Sequence, residues 1–173
     1  ESIKEFNEAA SRHGNAYRFG IVTKKDVLEE KKFNGATVYV YKSPMFFNEK
    51  YGEKKRARYP GSKVKANSLE RFVFEKAVPM VGEYGHSTDT MYENAKKPVL
   101  VVFGSYDHGR NEKQYTYLVN RVRRVAQKIG NKFAFAVANK KGSTSLIDSF
   151  DMANIVDDVN AIGMGIIDND QCY

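Results

Sequence analysis

The stretch from Pro98 to Phe103, Pro-Val-Leu-Val-Val-Phe, constrains the fold of this chain more than any other. Five apolar residues in a row, without polar alternation, predict a strand buried on both faces. Such a strand requires a sheet with helices packed on either side. A polar turn from Gly104 to Gly109 follows, and from about Asn111 the pattern turns helical. Tyr115, Leu118, Val119, Val122, Val125, Ala126 and Ile129 fall on one stripe of period 3.6, the predicted buried face of that helix. Lys113, Arg121, Arg124 and Lys128 fall on a second stripe turned well away from the first. A helix sealed on one side and lined with cations on the other either keeps the chain soluble or holds something acidic.

The remaining segments can be read the same way. Glu1 to His13 predicts a helix stopped by Gly14-Asn15, with Ile3, Phe6, Ala9 and Ala10 inward. Tyr17 to Thr23 predicts a strand, Lys24 to Phe33 a short helix ended by Asn34-Gly35, and Thr37 to Tyr41 a second strand. Lys54 to Tyr59 predicts a charged edge strand, and Asn67 caps a predicted helix from Ser68 to Ala77. The pattern then starts again: strand Met80 to Tyr84, a helix after Ser87-Thr88-Asp89, the Pro98 strand and the long helix. Strand Phe133 to Ala138, helix Ser143 to Met152 and strand Val159 to Ile167 complete it. Residues 2–41 and 111–167 share one order of long helix, aromatic-rich strand, short helix and strand, an internal repeat jointed near residues 77–80.

This order predicts an α/β protein of two tandem thioredoxin-like domains, 1–78 and 79–173, each a central mixed sheet flanked by helices. Each is expected to lack an outer piece: a first strand before Glu1, and a last hairpin strand and helix after the Asp168-Asn169-Asp170 turn. The chain is thus expected to be a segment of a longer parent.

Charge narrows the function. The net +7 arises in residues 1–79, with 17 Lys/Arg against 10 Asp/Glu, whereas residues 80–173 hold 11 of each. Overall basicity is therefore weak support for nucleic-acid binding. The run Lys54-Lys55-Arg56-Ala57-Arg58 reads as charge protecting a sheet edge. No apolar run reaches the ~20 residues needed to cross a bilayer. Cys172 is the only cysteine, which excludes an internal disulfide and any Cys-x-x-Cys pair. His13, His86 and His108 lack neighbouring acid or thiol ligands in the sequence. No metal, cofactor, nucleic-acid or membrane partner is expected.

Glu8-Ala-Ala-Ser with Tyr17-Arg-Phe, the Asn48-Glu-Lys-Tyr region, Asn120-Arg-Val and Phe135-Ala-Val-Ala-Asn-Lys-Lys occur in an order that resembles a known family. The chain resembles the non-catalytic b and b′ domains of protein disulfide isomerases, and most closely the calnexin/calreticulin-associated member. The alternative is the member with three catalytic domains, which binds unfolded clients directly. The resemblance implies the endoplasmic-reticulum lumen, a monomer, and docking of the acidic tip of the calnexin/calreticulin arm, with misfolded glycoprotein clients presented to flanking catalytic domains. It places the docking cations at Lys50, Lys113 and Arg121; Arg124 and Lys128 would extend the same surface. It also implies a hydrophobic client groove using Tyr106 and Tyr117, while Phe46, Phe47 and Tyr51 are expected to cover the sheet. A redox relative carries Cys-x-x-Cys at the start of its first long helix, where the helix dipole lowers the thiol pKa. In the second module that place is Ser105 to Arg110, which holds no thiol, and neither Thr37 nor Asn160 follows a proline. No catalytic residue is therefore expected in this segment.

Overall fold

A computed structural model describes residues 1–30, 32, 33, 37–110, 112–169 and 171–173. Asn34-Gly35, Asn111 and Asp170, read above as helix ends and a turn, lie outside the described residues. The chain forms α1 (Ser2–His13), α2 (Lys25–Glu30), β1 (Tyr39–Tyr41), β2 (Arg56–Arg58), α3 (Ala66–Ala77), β3 (Gly82–Glu83) and α4 (Asp89–Asn94). It continues through β4 (Val99–Gly104), α5 (Glu112–Ile129), β5 (Ala134–Asn139), α6 (Thr144–Asp148), β6 (Gly163–Asp168) and β7 (Gln171–Cys172). Short 3-10 turns at Pro44–Phe46 and Glu49–Tyr51 join β1 to β2.

The apolar strand sits where its composition demands. The larger sheet has the order β3-β5-β4-β6-β7, so β4 is central, parallel to β5 and antiparallel to β6. All six of its residues are buried. Leu100 and Val102 face one core with Phe135, Val137 and the inner face of α5. Val99, Val101 and Phe103 face the other, with Ala134, Ala136, Ala138, Tyr92 of α4 and Ile147 of α6. Each fully buried side chain of this size contributes about 1.5–3 kcal/mol. Two glycines permit the tight layers. A Cβ at Gly104 would lie 2.7 Å from Leu118 Cδ2, and one at Gly165 would collide with the Phe150 ring.

Residues 1–77 supply a separate core around Ala9, Leu69, Phe72 and Val73, beneath the β1–β2 pair. α1 and α3 pack together, and the chain corrects the expected cap of α3. Asn67 does not cap it; the helix starts at Ala66, whose N–H donates to Glu5 Oε2 of α1 at 2.8 Å. Asn67 Oδ1 instead accepts from Arg12, which also reaches Glu70.

Tyr17 to Thr23 does not form the predicted strand. A strand needs a neighbour for its backbone groups, and no described strand pairs with this segment. Ile21 and Val22 are accordingly about half exposed, at 48% and 57%. At the other end, the chain turns after Asp168 into β7, where Cys172 pairs with Ile167, so a two-residue returning strand is present.

The long helix also departs from expectation. Val125 and Ile129 lie at its margin, 45% and 38% exposed, while Arg123 is 5% exposed. The inner arc of α5 meets both the sheet and the 46–53 loop, and Arg123 points at that loop.

Candidate functional site: a cationic helix face and a thiol-free loop

Lys113, Arg121, Arg124 and Lys128 are all exposed on α5. At 100° per residue they occupy the arc opposite Tyr115, Val119, Val122 and Ala126, and they span about 22 Å of helix axis. None makes an ion pair with any described residue. Arg121 lies over the Tyr117 ring at 4.6 Å, a cation–π contact that positions its guanidinium. A shallow hollow of about 300 Å3 lies beside it, lined by Glu112, Lys113, Thr116, Tyr117 and Asn120.

Lys50 belongs to the Glu49–Tyr51 turn and is exposed. That turn is seated against α5: Gln127 Nε2 donates to the Tyr51 carbonyl at 3.0 Å, and Arg123 Nη2 donates to the Phe46 carbonyl at 3.2 Å. The guanidinium of Arg123 also lies over the Tyr51 ring at 5.7 Å. Phe46 and Tyr51 thus attach their loop to the long helix. The attachment makes Lys50 part of the same side of the molecule as α5, although it is 63 positions before Lys113.

Beneath this seat lies Glu53, whose side chain is 1% exposed. Its Oε2 accepts from the Asn48 N–H and its Oε1 from the Met80 N–H, both at 3.0 Å. Arg123 Nε stands 3.4 Å from Oε2 and Lys42 Nζ 3.9 Å from Oε1. One carboxylate therefore ties the 48–53 turn, the 78–80 connection and α5 together. Neither Glu53 nor Arg123 was singled out from the sequence. The only available signal was position: Arg123 lies four residues after Val119 and three before Ala126, on the flank of the apolar stripe.

The loop Ser105–Arg110 precedes α5 and holds no thiol. Tyr106 is a core residue, 5% exposed, so it does not join the exposed Tyr117 in a client groove. Its hydroxyl donates to Glu83 Oε1 at 2.8 Å, and His108 Nε2 lies 3.0 Å from Glu83 Oε2. Asn139 Nδ2 donates to the Tyr106 carbonyl, pinning the loop to the end of β5. The lone Cys172 sits at the far end of the sheet: its partner Ile167 faces Val99 at the start of β4, while the loop follows the end of that strand.

Burial and the Glu83 carboxylate push the Tyr106 and Tyr115 phenols up, Tyr115 to about 12; burial likewise raises Tyr92. A phenol with a raised folded pKa stabilises the fold fully below the ordinary value of about 10 and loses that contribution as pH climbs through its folded value. In an absorbance titration, these three of the eleven tyrosines are expected to stay protonated at about pH 11 and to ionise only with alkaline unfolding. Smooth ionisation of all eleven near the ordinary value would contradict the buried cluster.

A family model described as a thioredoxin-like domain matches residues 1–155. The chain belongs to that family. The crystal structure of the bb fragment of ERp72 matches this thioredoxin-like chain with a TM-score of 0.79 at 18% identity, over 99% of this chain and 73% of that one. The likeness in fold therefore runs through both halves of the sequence. The first two thioredoxin domains of Naumovozyma dairenensis Eps1p give a TM-score of 0.45 at 8% identity, covering 99% of this chain and 77% of that one. That score is too low to support an argument. Within the thioredoxin-like frame, the loop before α5 carries tyrosine, aspartate and histidine, and a single cysteine excludes a dithiol within the chain.

Proposed function

We propose that this thioredoxin-like chain is a non-catalytic docking segment of an endoplasmic-reticulum protein disulfide isomerase, built as two modules, 1–78 and 79–173. Its partner is the acidic arm tip of calnexin or calreticulin, and docking holds glycoprotein clients beside catalytic domains elsewhere in the parent. Holding the partner raises the effective concentration of client at those domains without any chemistry in the docking segment. The observation that supports this reading is the row of exposed cations on α5, unpaired among the described residues, with the Lys50 turn seated against the same helix beside the Glu53–Arg123 pair. A merely solubilising helix face would mix in acids at i, i+4 spacing. Arg121, positioned over Tyr117, presents a fork that can take a carboxylate through two hydrogen bonds. The segment acts as a monomer.

Exposed charge pairs contribute about 0.2–1 kcal/mol each, so several must act together and the complex should be salt-sensitive. Calorimetric titration with an arm-tip peptide is expected to show each of Lys113→Ala and Arg121→Ala weakening binding by about two- to fivefold, and Lys50→Ala by a similar factor. Unchanged affinity in both helix variants would rule out the docking assignment.

A further inference from the structure

The two halves of the chain leave an open cleft of about 1340 Å3 along their junction. β2 and α3 form one wall. The 94–97 connection, the end of α5 and the start of β5 form the other. The floor is apolar, with Phe74, Val78, Met80, Phe133 and Phe135. Cations line it from both halves of the chain: Lys42, Arg58, Arg71 and Lys76 from the first, and Lys96 and Lys97 from the second.

All three carboxylates that line the cleft are already committed. Glu53 is bound up in the seat of the 48–53 turn, and Glu70 is held by Arg12 at 2.9 Å. Glu75 pairs with its neighbour Lys76 at 2.5 Å. Arg58, Arg71 and Lys96 form no ion pair with any described residue. Like charges are also crowded. Half-burial pulls the Lys42 ammonium below its ordinary pKa and nearby Lys76 pulls it further, against the opposing effect of Glu53. Unbalanced positive charge beside an apolar floor focuses potential into the cleft, and an anionic occupant would relieve it.

We propose that this cleft binds an extended acidic polypeptide segment, with its carboxylates on Arg58, Arg71 and Lys96 and its apolar side chains on Phe74, Met80 and Phe133. Three features select a peptide. The space exceeds the roughly 300–1,000 Å3 of ordinary small-molecule pockets. The cations are spread along two walls rather than converging on one point. Apolar side chains line the same cleft as the cations, and a polypeptide carries carboxylates and apolar side chains along one strand. The walls are already fixed relative to each other, through Glu53 to Arg123 and Met80 and through Asn94 Nδ2 to the Tyr17 hydroxyl at 3.4 Å. Little ordering of the protein is therefore needed on binding. Of α5, only Ala126 and Gln127 reach the cleft, so the proposal does not rest on docking at the outer cations.

The test is fluorescence polarisation of the whole 173-residue chain with a labelled dodecapeptide of alternating glutamate and phenylalanine. Binding should weaken when the glutamates become glutamines and when the phenylalanines become serines. The exposed-site variant Arg71→Glu/Lys96→Glu should weaken it at least about tenfold, and Lys113→Glu/Arg121→Glu less than about twofold. Unfolding curves of both variants should match the parent, because all four side chains are exposed. Undiminished binding by Arg71→Glu/Lys96→Glu, or an equal loss from the α5 variant, would overturn the proposal. So would a single-stranded oligonucleotide that displaces the peptide and binds more tightly with the same dependence on Arg71 and Lys96.

Discussion

Glu53→Ala is expected to destabilise the chain by about 3–5 kcal/mol, the usual cost of breaking a buried ion pair by removing one partner. Two N–H groups, of Asn48 and Met80, lose their acceptor, and the buried Arg123 guanidinium loses its counter-ion. Arg123 keeps its bonds to Asn120 Oδ1 and the Phe46 carbonyl, each at 3.2 Å, but its charge stays buried without the carboxylate that faced it. Urea unfolding of Glu53→Ala, Arg123→Ala and the double variant measures the coupling. The double variant should cost less than the sum of the singles by about 0.5–3 kcal/mol. Additive singles would mean that the two side chains do not act as a pair. Because the same carboxylate seats the Lys50 turn on α5, Glu53→Ala should also increase proteolytic cleavage within residues 44–53.

Lys140→Met is expected to cost about 3 kcal/mol or more. The side chain is completely buried, and its ammonium donates to the carbonyls of Ile155 at 2.8 Å, Ala161 at 3.0 Å and Asp158. An ammonium has three protons to donate, and here each has an acceptor. Methionine preserves the length of the stem and removes every donor, so the loss reports the hydrogen bonds rather than a cavity. Those bonds fix the 155–161 segment that delivers the chain to β6. Hydrogen exchange should accelerate there first, while β4 and β5 remain protected. Equal acceleration throughout the sheet would place Lys140 in the global core instead.

Several features of the site were legible in the sequence. The cation stripe of α5 was, because one helix carries its own azimuths: the residues that fill a core and those turned from it are fixed by spacing alone. The absence of a dithiol was also legible, since a count of cysteines decides it. The seat of Lys50 was not. It depends on Glu53 meeting Arg123, 70 positions later, and a charged residue on the flank of an apolar stripe reads as solvated unless its partner is known. Tyr106 was misplaced for a similar reason. An aromatic in a polar turn looks available to a ligand, but Glu83 on a neighbouring strand draws its hydroxyl inward.

The two strand expectations with opposite outcomes mark the general boundary. Residues 99–103 are apolar without interruption, so burial on both faces followed from composition, and every tertiary arrangement of a buried sheet would satisfy it. Residues 17–23 have equally good strand-forming side chains, but a strand exists only where a neighbour accepts its backbone hydrogen bonds. The sequence by itself determined which faces are apolar, where the cations of the long helix point, and that no disulfide can form within the chain. Only the tertiary structure decided which segments found partners, that a buried glutamate joins the two halves, and that a cationic cleft remains open between them. Local spacing fixes the direction of a side chain relative to its own element; the group that meets it is chosen by chain closure over tens of residues.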